Sequence, residues 1–313
     1  MSNFSALPFT PYAHFLQQHF AQKVQKLPVD AGCSCPVRDG TLGRGGCAFC
    51  NGRSFVPNLQ DEGWQVRAQL ERGKRFFARK LPAGQPVAYL AYFQAGTNTY
   101  APVERMFPLF EEALETENVA GMVIATRPDC LGEEWLASLH ELSRRTFVMV
   151  ELGVESLCNE TLRRVGRGHT AECALQAIER LAERGVHVGV HLILGLPGDT
   201  RNEWIRWPAL LSATKVDVVK FHQLQILCGS RMADVYRQCP GLFELFAPET
   251  YIATLADFLE RLTPCIAVDR LASVAKANEI LAPHWGLRPD VLQQRLMEEF
   301  RRRCTKQGYL CGL

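Results

Sequence analysis

No run of about eighteen apolar residues occurs anywhere in the chain, so the sequence offers no membrane-spanning helix. An excess of one charge is missing too. Lys and Arg number 35 against 33 Asp and Glu, a formal +2 that singles out neither nucleic acid nor a membrane surface as partner. The opening stretch, MSNFSALPFTPYAHF, lacks a charged region leading into an apolar one and does not read as a secretory signal. Internal repeats and low-complexity linkers are also absent, so the last part of the chain is expected to pack on the rest rather than stand apart. These absences point to a cytoplasmic protein, in which most thiols stay reduced.

Thiols are what the chain does have: 12 cysteines, four of them (Cys33, Cys35, Cys47 and Cys50) within AGCSCPVRDGTLGRGGCAFCN, Ala31 to Asn51. This stretch is rich in glycine and poor in apolar bulk, so hydrophobic burial cannot hold its shape, and a metal is the plain alternative. Cys47 and Cys50 form a CxxC pair, and Cys35 can come round from across the glycine-rich turn. Structural zinc takes four closed ligands, of which Cys33 would be the fourth. A cluster of four irons can instead be held by three cysteines, leaving one iron open. Cys33-Ser34-Cys35 is tight spacing for two ligands of one zinc, which selects Cys35, Cys47 and Cys50 and leaves Cys33 spare. Spacing alone leaves iron–sulfur and zinc both standing. Cys130, Cys158, Cys173, Cys228, Cys239 and Cys265 sit in apolar patterns and read as small buried hydrophobes.

Beyond the loop the chain alternates. Strands are expected at Val24–Val29, Val87–Phe93, Gly121–Thr126, Thr146–Leu152, Val186–Leu194 and Val216–Leu224. Helices are expected at Tyr12–Gln22, Glu62–Lys80, Val103–Glu117, Glu133–Arg144, Thr170–Arg184 and Arg201–Ala213. Six strands, each followed by helical sequence, demand a parallel sheet, and right-handed crossovers curl it. The fold class is therefore α/β: a partial (β/α)6 TIM-like barrel with a C-terminal helical extension. A lead-in of residues 1–25 precedes a core barrel of 26–227, and a mostly helical extension of 228–313 packs on it. In that extension Phe243–Leu262 and Val291–Arg303 read as helices, and Ile266–Leu271 as one more strand or an extended edge. Functional groups then belong at the C-terminal ends of the strands, where the cysteine loop itself sits.

With cysteines following its first barrel strand, the chain resembles the radical S-adenosylmethionine (SAM) superfamily. The common loop there is CxxxCxxC. Here the first gap, from Cys35 to Cys47, is eleven residues long. In that longer form CPVRDGTLGRGGCAFCN resembles the bacterial YhcC-type radical SAM proteins, and it is similar to the radical SAM domain of the Elongator catalytic subunit, a tRNA-modifying protein. The likeness covers Lys26 to Leu227.

The resemblance implies that Cys35, Cys47 and Cys50 hold a [4Fe-4S] cluster whose fourth iron SAM chelates. Reductive cleavage of SAM would then give a 5′-deoxyadenosyl radical that abstracts hydrogen from substrate. It places Phe49 against cofactor and cluster, and the backbone of Gly96-Thr97, in AGTN rather than the commoner double glycine, at the methionine amino group. Glu155, in ELGVES, falls at the ribose hydroxyls, Arg167, in GRGHT, at the SAM carboxylate, and Leu196, in LGLPG, in the segment whose backbone meets adenine.

Arg127 and Asp129 either touch the cofactor or pair with each other. His187 and His191 read as satisfied barrel histidines, while Lys220 and His222 face the substrate side. Cys33 as a catalytic thiol is outweighed by a plain loop position. The implied partners are a one-electron reductant such as flavodoxin or ferredoxin and no membrane. Kinship with Elongator and the basic Arg301–Arg303 helix end point to RNA, tRNA foremost, as substrate. A small metabolite or protein side chain inside the barrel is the other class. The rival to catalysis is a zinc-stabilised nucleic-acid or protein binding module, which gives no reason for ELGVES, Arg167 and LGLPG to recur at strand ends.

Overall fold

Short runs of aliphatic and β-branched residues become strands, and the stretches between them, apolar at three- and four-residue spacing, become helices. The computed structural model describes residues 7–52, 65–79, 85–273 and 275–312. The chain enters through α1 (Tyr12–Gln17) and β1 (Lys23–Val29), then makes one helical turn, α2 (Pro36–Asp39), inside the cysteine loop. There follow α3 (Val66–Ala78), β2 (Val87–Phe93), α4 (Val103–Leu114), β3 (Val119–Thr126), α5 (Glu133–Ser143) and β4 (Phe147–Glu155). Next come α6 (Asn159–Arg164), α7 (Ala171–Ala182), β5 (His187–Leu194), α8 (Arg201–Ser212) and β6 (Val218–Gln223). The last part holds β7 (Ile226–Leu227), α9 (Arg231–Gln238), α10 (Pro248–Arg261), β8 (Ala267–Arg270), β9 (Ile280–Ala282) and α11 (Pro289–Arg303). The expected helix start at Glu62 lies outside the described residues.

Seven strands form one sheet in the order β1-β2-β3-β4-β5-β6-β8, all parallel. The stretch Ile266–Leu271, left open by the sequence between strand and edge, thus supplies a seventh strand beside β6, and the sheet runs past residue 227. The long crossover through α9 and α10 breaks the regular spacing, which is why the pattern leaves open whether this stretch joins the sheet. β7 and β9 pair antiparallel outside the sheet.

Local signals set the helix starts. The Thr200 side chain accepts from Glu203 N while the Glu203 carboxylate accepts from Thr200 N, a capping box that fixes the first turn of α8. Thr170 caps α7 through Cys173 N. The outer face of the sheet and the inner faces of the helices share one core. It includes Leu27, Phe93, Phe110, Ile124, Leu136, Leu152, Ile178, Trp207, Phe221 and Phe258, all buried. Each such side chain contributes about 1.5–3 kcal/mol through its burial.

The inside of the curl is layered. At the foot, α1 inserts Tyr12, Phe15 and Leu16 against Leu90, Val123, Met149, Val218 and Ala267. Val268 N donates to Thr10 O at 2.8 Å, so the lead-in binds the β8 edge of the sheet. Above that apolar plug, Lys26 on β1 reaches Asp269 on β8 at 2.6 Å, joining the two edge strands through side chains. Among the described residues no helix is long and apolar enough to cross a membrane.

Candidate functional site

Above the charged layer the sheet opens, at the C-terminal ends of its strands, into a cavity of about 490 Å³. That size is ordinary for a small-molecule site. Cys33, Cys35, Cys47, Phe49, Cys50, Gly96, Thr97, Glu155 and Arg167 all line it, so eight of the nine site residues read from the sequence, and the spare thiol, meet in one place. Leu196 does not. Its side chain is buried in an apolar cluster with Val165, Ile193 and Met232, against which Phe49 packs.

The cysteine loop is held by more than its cysteines. Gly46 N donates to Val37 O, Ala48 N to Val165 O at the end of α6, and Met232 N, in α9, to Ala48 O. Arg231 donates to Gly46 O at 2.8 Å and Thr97 N to Ser34 O at 3.0 Å. Backbone hydrogen bonds thus order a stretch that has too little apolar surface to order itself, a support the sequence does not show. Gly96 makes the closest approach. Its φ is +72°, and a Cβ built there would stand 2.1 Å from Cys33 O, so only glycine lets the end of β2 meet the loop.

Arg167 is 6% exposed and sits where the loop and β4 converge. Its guanidinium donates to Gly153 O at 2.6 Å, lies 3.6 Å from Cys47 Sγ and 3.7 Å from Glu155 Oε1, and leaves Nε without a partner among the described residues. Burial opposes its charge, but Cys47 and Glu155 outweigh burial and hold its pKa above the ordinary value. A bulge between Gly153 and Glu155 turns the end of β4, giving Glu155 a φ of +69° and aiming its carboxylate at the arginine. A Cβ on Gly153 would fall 2.5 Å from the guanidinium, so the glycine makes room for it. Arg38 sits 3.6 Å from Cys50 Sγ, putting a second cation beside the thiols.

The donor set distinguishes between metals. Among the described residues, the group of three candidate ligand atoms found within 4.8 Å of one another is Cys158, Asp199 and Glu203, and Cys35, Cys47 and Cys50 do not form one. Tetrahedral zinc with Zn–S bonds of about 2.3 Å needs its sulfurs about 3.8 Å apart. At least one pair of the three thiols is thus more than 4.8 Å apart, wider than one zinc allows, and that spacing around a shared cavity fits a multi-iron body better. They also leave no fourth loop ligand, since Cys33 Sγ turns away to Met106 Sδ at 3.4 Å.

Arg127 and Asp129 pair with each other: Nε and Nη2 donate to the carboxylate at 2.9 and 2.8 Å, and Nη2 also reaches Arg167 O at 2.6 Å. His187 lies far down the barrel, 3.5 Å from Asp217. His191 is at the cavity and bonds Glu151 at 2.6 Å.

The layer beneath the cavity was not found by motif reading. Glu151 accepts from Lys26 and Lys220 at 3.0 Å each and from the Tyr92 hydroxyl at 2.6 Å. Burial, which would raise its pKa, is outweighed by Lys220 and Lys26, so the carboxyl is held well below the usual range. Two carboxylates, Asp269 nearest, overcome burial and raise Lys26, whereas burial prevails at Lys220 and lowers it. The signal was present in the sequence. A charge within each of the apolar runs of β1, β4 and β6 must find a partner across the barrel.

A Radical SAM superfamily model matches residues 41–207 of this chain, and a Radical_SAM C-terminal domain model matches 216–299. The Escherichia coli (strain K12) protein YhcC is 35% identical over 271 residues, spanning 86% of this chain and 85% of that protein. A shorter likeness, 29% over 120 residues, joins 37% of this chain to 22% of the Methanocaldococcus jannaschii tRNA uridine(34) acetyltransferase. Among solved structures, the archaeal Methanocaldococcus infernus Elp3 with an N-terminal deletion superposes with a TM-score of 0.68 at 16% identity, which shows the shared fold. That match covers 91% of this chain and 64% of the other.

Proposed function

The chain belongs to the radical SAM superfamily, and from that premise we propose that Cys35, Cys47 and Cys50 hold a [4Fe-4S] cluster beside a SAM site in the cavity. Bound there, the cluster and SAM supply a 5′-deoxyadenosyl radical able to take a hydrogen atom from a substrate. The observation that carries the reading is the convergence of Arg167, Glu155 and Cys47 around one opening.

The protein's own groups then bind, orient and exclude. Arg167, already charged and with an unsatisfied Nε, pairs with the cofactor carboxylate. Glu155 accepts from ribose hydroxyls, which an ionised carboxylate does without donating in return. The backbone of Gly96 and Thr97 faces the amino group, Phe49 covers the cofactor side of the loop, and the strand-end segment of Leu196 meets the base through backbone. The partner this reading implies is a one-electron reductant such as flavodoxin or ferredoxin, which would supply the electron.

An RNA substrate draws its support from partial relatives such as the tRNA uridine(34) acetyltransferase. The arginines at the end of α11 are largely neutralised within the protein. In the Arg301–Arg303 end of α11, Arg302 pairs with Glu299 at 2.8 Å, and Arg303 with Glu299, Asp257 and Glu260 at 2.6 to 3.3 Å. A substrate group entering the barrel is favoured instead.

The test is the spectrum of anaerobically purified protein, reduced with and without SAM. A brown protein whose reduced cluster signal changes on adding SAM is expected. A colourless protein with stoichiometric zinc that iron and sulfide cannot convert would return the chain to the binding-module reading.

A further inference from the structure

The cavity has two unlike sides. The cysteine loop, the ends of β2 and β4 and the turn after α6 supply the residues proposed above that line the cavity for cluster and SAM. Across from them, β5, β6 and the β8 end supply His191, Lys220, His222, Arg270 and Ser273, none of which that reading uses.

Arg270 differs from the other cations of the inner layer. Lys26 and Lys220 each have a carboxylate within 3.0 Å, but Arg270 has no hydrogen-bond or ion-pair partner among the described residues. It follows Asp269 on β8 and is the register partner of Lys220 on β6. In this layer three cations, Lys26, Lys220 and Arg270, meet two anions, Glu151 and Asp269. The histidines add no charge. Burial, then His191, Arg270 and Lys220, holds His222 well below its ordinary value, and burial with Lys220 lowers His191. The excess positive charge therefore sits on a guanidinium facing an open cavity. Beside it, His222 Nδ1 is 3.0 Å from Ser273 Oγ, a neutral polar pair that can hydrogen-bond a ligand without competing for its charge.

We propose that Arg270 is the substrate's anion-binding residue, receiving the carboxylate or phosphate of a small molecule held between β5, β6 and β8 and the cofactor side. A planar, permanently charged fork suits either group, and seating it there brings the remainder of a small molecule toward the opposite wall. This inference rests on the radical SAM reading for what happens next, not for the anion site itself.

Phenylglyoxal, which attacks unpaired guanidinium groups, tests it on the anaerobic holoenzyme. Adducts at each arginine are quantified by peptide mass spectrometry with succinate, inorganic phosphate or bulk tRNA at matched ionic strength. Labelling of Arg270 is expected without added anion, and one of the small anions should slow it severalfold. The more protective of the two identifies the group recognised. An Arg270 that never labels, is slowed by neither small anion, or is slowed by tRNA alone overturns the assignment.

A second measurement keeps folding out of the answer. The protective anion should raise the melting temperature of the wild type and leave that of Arg270→Gln unmoved, and an equal rise in both would overturn the assignment. The cluster signal with and without SAM, read on the same wild-type preparation, judges the cofactor reading separately. Protection of Arg270 without a SAM response leaves the anion site standing and sinks the cofactor reading; the reverse pair of results does the opposite.

Discussion

Replacing Glu151 by glutamine removes one charge from the middle of the barrel and keeps its shape. Glu151 and Lys220 are 3% and 4% exposed, and their 3.0 Å contact is worth roughly 5 kcal/mol of Coulomb attraction at an effective dielectric of about 20. Most of that offsets desolvation, so the contact energy is not the expected loss. Lys26 keeps Asp269 at 2.6 Å, whereas Lys220 retains Asp269 at 3.7 Å and the uncharged Tyr92 hydroxyl at 3.0 Å. Stranding one buried ammonium should cost about 3 kcal/mol, the low end for breaking a buried pair, out of a typical total of about 5–15 kcal/mol. Urea unfolding of metal-free protein at pH 7 should show a lower midpoint with unchanged slope. Adding Lys220→Met should restore more than half of the loss, because the stranded charge is gone. The effect also has a pH signature. A carboxyl held below its ordinary pKa stabilises the fold above the unfolded value of about 4.3 and loses that contribution as pH falls. The gap between wild type and Glu151→Gln should therefore narrow toward acid. A loss under about 1 kcal/mol, or a double variant worse than the single one, would refute the account of a strained charge balance.

Cys35→Ala, Cys47→Ala or Cys50→Ala should each abolish reconstituted iron and sulfide, while Cys33→Ala keeps them; a full cluster in Cys35→Ala would show the ligand set wrong. Arg167→Lys should leave the cluster in place and weaken SAM binding about tenfold, about 1.4 kcal/mol, since a point charge cannot reproduce the fork. Gly153→Ala should weaken SAM binding in the same direction by pushing the guanidinium off its carbonyl, and unchanged SAM affinity in both would remove Arg167 from the site. Gly96→Ala should lower cluster occupancy, measured as iron per chain, because its Cβ cannot coexist with Cys33 O at 2.1 Å.

The strands were legible because both faces of a parallel sheet are covered, which forces long apolar runs whose spacing survives in the sequence. The meeting of Cys35, Cys47 and Cys50 at one cavity was legible because their spacing is local. What escaped notice was non-local. β8 is four residues long and follows a crossover of more than forty, so its membership of the sheet depends on β6 and not on its own pattern. Arg270 reads as one arginine among many until the barrel brings it beside Lys220, with no carboxylate paired to it among the described residues. Sequence reading attributes the order of the cysteine loop to metal alone, because the backbone hydrogen bonds that Ala48 gives to Val165 and accepts from Met232 carry no side-chain signature. Arg127 and Asp129 were left open and are partners, two residues apart.

The lead-in that plugs the foot of the barrel also sets a timetable. Thr10 bonds Val268, and its own N–H donates to Gln307 Oε1 at 2.8 Å, so segments up to 297 residues apart are fastened together. At about 5–20 residues per second, some 13–50 seconds of synthesis separate them. For most of that interval the cysteine loop is already made while the edge strands β1 and β8 remain apart. The foot can therefore be sealed only after the cysteine loop has been made.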